Sequence, residues 1–241
     1  MKSPDKAFRL EKAKEYFANE DYEKAKILIE DLIPLYRGTA VNEELYYMYG
    51  YTYFYQKDYF SASSYFQLFG ETFPKSDKAE EVAYLSAKCA YFESPRYSLD
   101  QEISKQALEK FQLFLENYPN SPKVDSCNFY IDDLRLKFEQ KAFHNAKIYY
   151  NIEEYQASVV AFKNALKEFP ASANEEEMRF LMLDASYRLA SNSVESKKER
   201  RLRETIVAYQ NYIDKFANSK KAKDAENIYS KTLDQLENFN L

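Results

Sequence analysis

An all-α array of packed helical hairpins is the fold class this sequence predicts, and three observations predict it. First, residues 43–76 satisfy one 34-residue pattern at eight marked positions: Tyr46, Tyr49, Gly50, Tyr53, Ala62, Phe66, Phe69 and Pro74. Second, the pattern returns from Glu139, with Ala142, Ala146, Tyr149, Ser158, Phe162, Ala165 and Pro170 at the corresponding places. Third, the 241 residues include only 3 glycines and 7 prolines, too few for the tight turns of an all-β fold.

The pattern is the tetratricopeptide (TPR) helix–turn–helix signature, and its chemistry is packing. Small residues at positions eight and twenty let the first helix (A) approach the second (B). Large residues fill the remaining space, and the proline follows helix B because it cannot continue it. A weaker copy starts at Lys6, with Ala13, Tyr16, Ala25, Ile29 and Leu32; Arg9 and Lys12 replace its bulky residues, which suits an end repeat with one wet side. Helices are predicted at 5–18 and 21–36, then at 42–56 and 58–73.

Two further copies are stretched. Ala87 and Ala90 precede Ala107, Phe111, Phe114 and Pro119, and Ala185 precedes Thr205, Tyr209 and Tyr212, with 20 residues between positions eight and twenty instead of 12. These give helices at 77–92 and 101–118, and at 174–190 and 199–216. Both end alike, in Tyr118-Pro119-Asn120-Ser121 and Phe216-Ala217-Asn218-Ser219. Between them, Phe129, Ile131, Leu134, Leu136 and Phe138 favour a helix that runs without a breaker into the fourth repeat's helix A, about 30 residues in all; helix B follows at 153–169. Ala225, Ile228, Tyr229, Leu233 and Leu236 predict a last helix over 220–238 that caps the array. The expected architecture is a TPR superhelical solenoid of five helix pairs plus a capping C-terminal helix. Residues 1–121 carry repeats one to three, residues 122–241 the rest, in one continuous array.

The formal charge of −5 discourages nucleic-acid binding. No apolar run is long enough to cross a membrane as a helix. The polar opening, Met1-Lys2-Ser3-Pro4-Asp5, fits either a cytosolic chain or a mature domain freed of its leader. Catalysis has little to work with. His144 is the one histidine, no glycine-rich phosphate loop occurs, and no ligand spacing suits zinc, so no enzyme activity, cofactor or metal is expected. Cys89 and Cys127, 38 residues apart, read as semi-buried thiols; whether they are bonded is open.

Binding has more support. In a TPR array positions two, five, nine, twelve and thirteen of helix A face the concave groove. Tyr47, Tyr51 and Tyr55, four apart, form one stripe there, joined by Phe17 of the first repeat and by Tyr84 and Tyr91 of the third. These six are the expected peptide-binding residues, since tyrosine buries a ring while keeping its hydroxyl satisfied. The stripe could equally be internal packing of a closed groove. Lys197, Lys198, Arg200, Arg201 and Arg203 concentrate positive charge in the fifth repeat's insertion, read as a loop spanning 191–203 that is either a solvated connection or part of a binding face.

The order and irregular spacing of the repeats resemble the BamD family of TPR lipoproteins of the outer-membrane β-barrel assembly machinery, most closely its Bacteroidetes branch. The likeness covers nearly the whole chain, from KSPDKAFRLEKAKEYFANEDYEKAKILIEDLIPLYRGT, through LYYMYGYTYFYQKDYFSASSYFQLFGETFPKS and QALEKFQLFLENYPNS, to FHNAKIYYNIEEYQASVVAFKNALKEFPAS. The resemblance implies a non-catalytic scaffold and substrate receptor on the periplasmic face of the outer membrane, held by a lipidated cysteine upstream of Met1. It implies that the N-terminal repeats bind targeting signals of unfolded outer-membrane proteins. It also implies that the C-terminal repeats, with Lys163, Lys167 and the basic segment, dock on the POTRA domains of the BamA-like barrel subunit. The lipobox cysteine is not within the sequence, and a cytosolic TPR adaptor or co-chaperone remains the alternative.

Overall fold

The computed structural model describes residues 5–239; the polar start at residues 1–4 lies outside them. Among the described residues there are eleven α-helices and no strand. They are α1 (Lys6–Ala18), α2 (Tyr22–Leu32), α3 (Ala40–Tyr55), α4 (Tyr59–Thr72), α5 (Ala79–Phe92), α6 (Glu102–Asn117), α7 (Val124–Asn151), α8 (Tyr155–Glu168), α9 (Glu175–Ser191), α10 (Glu195–Phe216) and α11 (Ala222–Glu237). Consecutive helices pack in pairs, as a TPR solenoid requires. The long helix is α7, at 28 residues, and α11 packs on α9 and α10 as the expected cap. The chain divides into two compact units, residues 1–135 and 136–241.

In unit 1 the small residues do what the pattern requires. Ala13, Ala25, Ala62, Ala87 and Ala107 are fully buried between paired helices. Gly50 marks the tightest approach: a Cβ there would stand 2.7 and 2.8 Å from the ring of Phe66, itself fully buried. In unit 2, Ala146 packs with Phe162, Ala165 and Met178, and Leu183 with Ala208, Tyr212 and Ala225.

Two kinds of turn join the helices. In the three unstretched repeats helix A ends in a left-handed residue: Glu20 (φ 61), Lys57 (φ 62) and Glu153 (φ 65). The following amide closes back five residues, Asp21 to Tyr16, Asp58 to Tyr53 and Glu154 to Tyr149, at 2.9–3.0 Å. This is the Schellman ending, here without glycine. The aspartates then cap helix B, Asp21 accepting from the Lys24 amide and Asp58 from the Ser61 amide.

The exit from helix B is standardised as well. Ser76, Ser121, Ser172 and Ser219 each accept an amide two residues on, at 2.9–3.1 Å. Each also donates to a glutamate at the start of its own repeat's helix A, Glu43, Glu80, Glu139 and Glu176, at 2.5–2.6 Å. One serine thus ties the last position of a repeat to the first. In the fifth repeat this bond makes Glu176 the first position, so Leu183 rather than Ala185 stands eighth.

The predicted loop at 191–203 is instead mostly helix. The α10 helix begins at Glu195, four residues before the predicted start. The segment ESKKERRLRE is rich in good helix formers, and its charges pair along the helix: Arg203 with Glu199 at 2.8 Å, and Arg200 with Glu204.

Gly50→Ala is expected to force the Phe66 ring out of its place. Overpacking of this kind costs about 1–3 kcal/mol. A urea midpoint lowered to match, with helical circular dichroism intact in water, is the expected result.

Candidate functional site

The tyrosine stripe lies along helices A of unit 1, and the structure gives four of its hydroxyls partners on α5 or on the first half of α7. Tyr47 and Tyr51 both donate to the Glu81 carboxylate, at 3.1 and 2.5 Å. The Tyr84 hydroxyl lies 2.8 Å from that of Ser126, and Tyr91 donates to Asp133 at 2.9 Å. Tyr84 is buried against Phe114, and Tyr91 packs on Tyr130 at 4.5 Å between ring centroids. These four tyrosines are therefore half or wholly committed to joining repeats, which favours the packing side of the two readings for their polar ends.

Phe17 and Tyr55 are placed differently. Tyr55 is 49 % exposed and stacks on Tyr22 at 4.8 Å, and Phe17 meets both rings edge-on. Phe54, Tyr59 and Phe92, each within 6 Å of the next, continue this ledge along the A–B turns of repeats two and three. Phe92 is 42 % exposed, and the Lys88 ammonium lies 5.6 Å from its ring centre. This ledge is an accessible aromatic surface of unit 1, with the tethered tyrosines Tyr47 and Tyr51 running on from Tyr55; Phe8, Phe60 and Phe129 are exposed as well.

The acids were the residues sequence reasoning missed, and the signal was present. Position nine of one repeat pairs with a glutamate at position two of the next: Lys14 with Glu44 at 2.7 Å, Tyr51 with Glu81, and Lys147 with Glu177 at 2.8 Å. Tyr150 and Asp184 repeat the tyrosine–acid pair in unit 2, with Arg188 on the same carboxylate at 2.6 Å.

In unit 2 the basic residues separate into two sets. Lys163 and Arg201 line one groove between α8, α9 and α10, of about 560 Å³, with Val160, Leu166, Met182 and Val207. Val160 and Val207 are each 54 % exposed. The Arg201 guanidinium is held by neutral acceptors, Ser193 Oγ at 2.6 Å and Gln156 Oε1 at 3.1 Å. Lys167, Lys197, Lys198, Arg200 and Arg203 do not line that groove; Lys198 pairs with Glu195 at 3.7 Å, and Arg200 and Arg203 with their helical neighbours. Among the described residues no cluster of His, Cys, Asp and Glu could hold a metal ion, and no helix is long and apolar enough to cross a membrane.

A family model described as YfiO, outer membrane lipoprotein, matches residues 3–202, most of the chain. No curated protein matches the chain.

Burial also sets how these groups titrate. It raises the Tyr51 hydroxyl above the ordinary tyrosine value, with Glu81 adding to the effect. Burial, then Asp133, pushes Tyr91 up to about 12, and burial, then Asp184, does the same for Tyr150. Burial pushes the Cys89 thiol up to about 12 and the Cys127 thiol up to about 11, so neither is poised as a nucleophile. All these groups hold their protons more tightly folded than unfolded. Their contribution is fully present below the unfolded values, about 10 for tyrosine and about 8.5 for cysteine. It is lost as pH rises through about 11 and 12. Urea midpoints should therefore hold between pH 7 and 8 and fall steadily from pH 9.5 to 11.5, and the thiols should resist alkylation at pH 8 until the chain unfolds.

Proposed function

The chain belongs to the YfiO family of outer membrane lipoproteins, and on that premise we propose that it is a non-catalytic scaffold and substrate receptor in outer-membrane β-barrel assembly. It works from the periplasmic face, anchored by an N-terminal lipid. Unit 1 receives segments of unfolded outer-membrane proteins, and unit 2 docks on the POTRA domains of the barrel subunit. Family membership weighs against a cytosolic adaptor.

The single observation that carries the receptor reading is the ledge of Phe17, Tyr22 and Tyr55, an accessible aromatic surface beside polar groups that are already satisfied. A barrel strand alternates apolar and polar residues and is an aggregation hazard in water. The exposed face of Tyr55, with the half-buried Phe17 beside it, can take its apolar side chains. The tethers from Tyr47 and Tyr51 to Glu81, and from Tyr91 to Asp133, hold the neighbouring wall in place beforehand, which reduces the ordering cost of binding. Tyr84 joins α5 to α6 and α7 through Phe114 and Ser126.

Docking is assigned to the unit 2 groove. Lys163, Arg179 and Arg201, with the acid Glu204 beside them, set a net positive charge at an apolar floor, the arrangement of an interface with a hydrophobic centre and a charged rim. The exposed charges at Lys167, Lys197 and Arg203 steer the encounter. They are screened beyond about 8 Å at physiological salt.

The test is association with the purified POTRA domains of the barrel subunit at low and at physiological salt. Lys163→Glu with Arg201→Glu should slow association severalfold and weaken the complex at both salts. Lys197→Glu with Arg203→Glu should slow association only at low salt. Wild-type association by the first pair would remove the groove from the interface, and no association by the wild-type chain would remove the docking role itself.

A further inference from the structure

A second groove, of about 570 Å³, lies in unit 1 over α4, α5 and α6. Phe66, Gly70, Pro74, Ala83, Leu113 and Phe114 give it an apolar lining, and Leu113 is 56 % exposed. It uses neither the tyrosine ledge nor any residue of the unit 2 groove.

Lys110 enters this groove from α6, and its surroundings are unusual for this chain. Its ammonium donates to Gln67 Oε1 at 2.6 Å and to Ser86 Oγ at 2.8 Å. Ser86 is fixed in the seam between α4 and α5: its hydroxyl donates to the Ser63 carbonyl at 2.9 Å, and the Ser63 hydroxyl returns a bond to the Ser86 carbonyl at 2.8 Å. Both acceptors of the ammonium are neutral. By contrast Lys14, Lys147 and Lys215 each meet a carboxylate at 2.7–2.8 Å. Glu71, whose charge is felt at Lys110, accepts instead from Gln67 Nε2 at 2.9 Å. Burial lowers the Lys110 pKa, the mark of a cation that has given up part of its hydration.

An ammonium has three donors, and two are spent here on neutral oxygens. A partly desolvated cation gains most from an anionic acceptor, because a charge-assisted bond is about twice as strong as a neutral one. The single cation and the neighbouring Glu71 suit a monoanion, not a phosphate. The apolar lining on either side suits hydrophobic side chains flanking that anion. We propose that this groove binds a peptide segment of a partner in which one carboxylate sits between apolar side chains, the carboxylate on Lys110 and the apolar side chains against the accessible Pro74, Ala83 and Leu113.

The experiment compares two labelled peptides on the full chain by fluorescence anisotropy: one with the core Leu-Phe-Glu-Leu-Phe between Gly-Ser ends, and its Gln counterpart. The Glu peptide should bind about five- to tenfold more tightly. Lys110→Gln keeps a donor for Ser86 and should abolish that difference. Leu113→Ser, at an exposed position, should weaken both peptides without unfolding the chain. Lys163→Glu with Arg201→Glu should leave all three results unchanged, so the outcome does not depend on docking by unit 2. Equal binding of the two peptides, binding of neither, a preference that survives Lys110→Gln, or displacement by decanoate at lower concentration than by unlabelled Glu peptide would overturn the proposal.

Discussion

Everything in this molecule depends on how closely helix A can lie against helix B within a repeat. Gly50 shows the limit, with the Phe66 ring already occupying the space a methyl group would need. Ala13 and Ala25, Ala87 and Ala107, and Ala146 and Ser158 make the same approach in other repeats, all fully buried. Close approach brings Phe66, Phe111, Phe114 and Phe162 into complete burial, and burying a side chain of that size is worth roughly 1.5–3 kcal/mol. The exposed ion pairs between repeats, Lys14–Glu44 and Lys147–Glu177, belong to a class worth about 0–1 kcal/mol each. Packing sets the array's stability, and the polar pairs set which neighbour each helix takes.

That division explains the polar design. Inside each of four repeats a serine on the exit from helix B is bonded to the glutamate at the start of helix A, which fixes the hairpin's open end. Between repeats, Tyr51, Lys14 and Lys147 at position nine reach acids on the next helix A. Tyr51 serves both layers, its ring packing on Phe66 and its hydroxyl reaching Glu81. A face built this way is rigid where the hydroxyls are spent and more adaptable where rings such as Tyr55 and Phe92 keep an exposed face.

The fold was legible because its information is local and periodic. Small residues at fixed spacing, and prolines after helix B, announce a hairpin wherever they occur. The breaker-free run from Val124 to Asn151 announced the long helix. Two features resisted reading. The basic segment looked like a loop because its charges stand close in sequence, yet Glu199 and Glu204 neutralise Arg203 and Arg200 one helical turn away. The tyrosine stripe could not be assigned to an open groove or to internal packing because its acceptors lie 30 to 42 residues downstream, as Glu81 and Asp133 do. Position nine followed by a glutamate at position two of the next repeat is the pattern that would have revealed the first of these. Nothing in the sequence separates Lys163 and Arg201 from the other basic residues, because only the packing of three helices brings them to one groove.

The functional account divides labour between surfaces: an aromatic ledge in unit 1 for the substrate and a basic-rimmed groove in unit 2 for the barrel subunit. Photo-crosslinking in cells tests it most directly, with a photoreactive side chain installed at Tyr55 in one strain and at Val207 in another. Tyr55 should yield adducts with unfolded outer-membrane proteins and Val207 an adduct with the barrel subunit. Adducts at neither position, or the barrel subunit captured from Tyr55 and not from Val207, would contradict it.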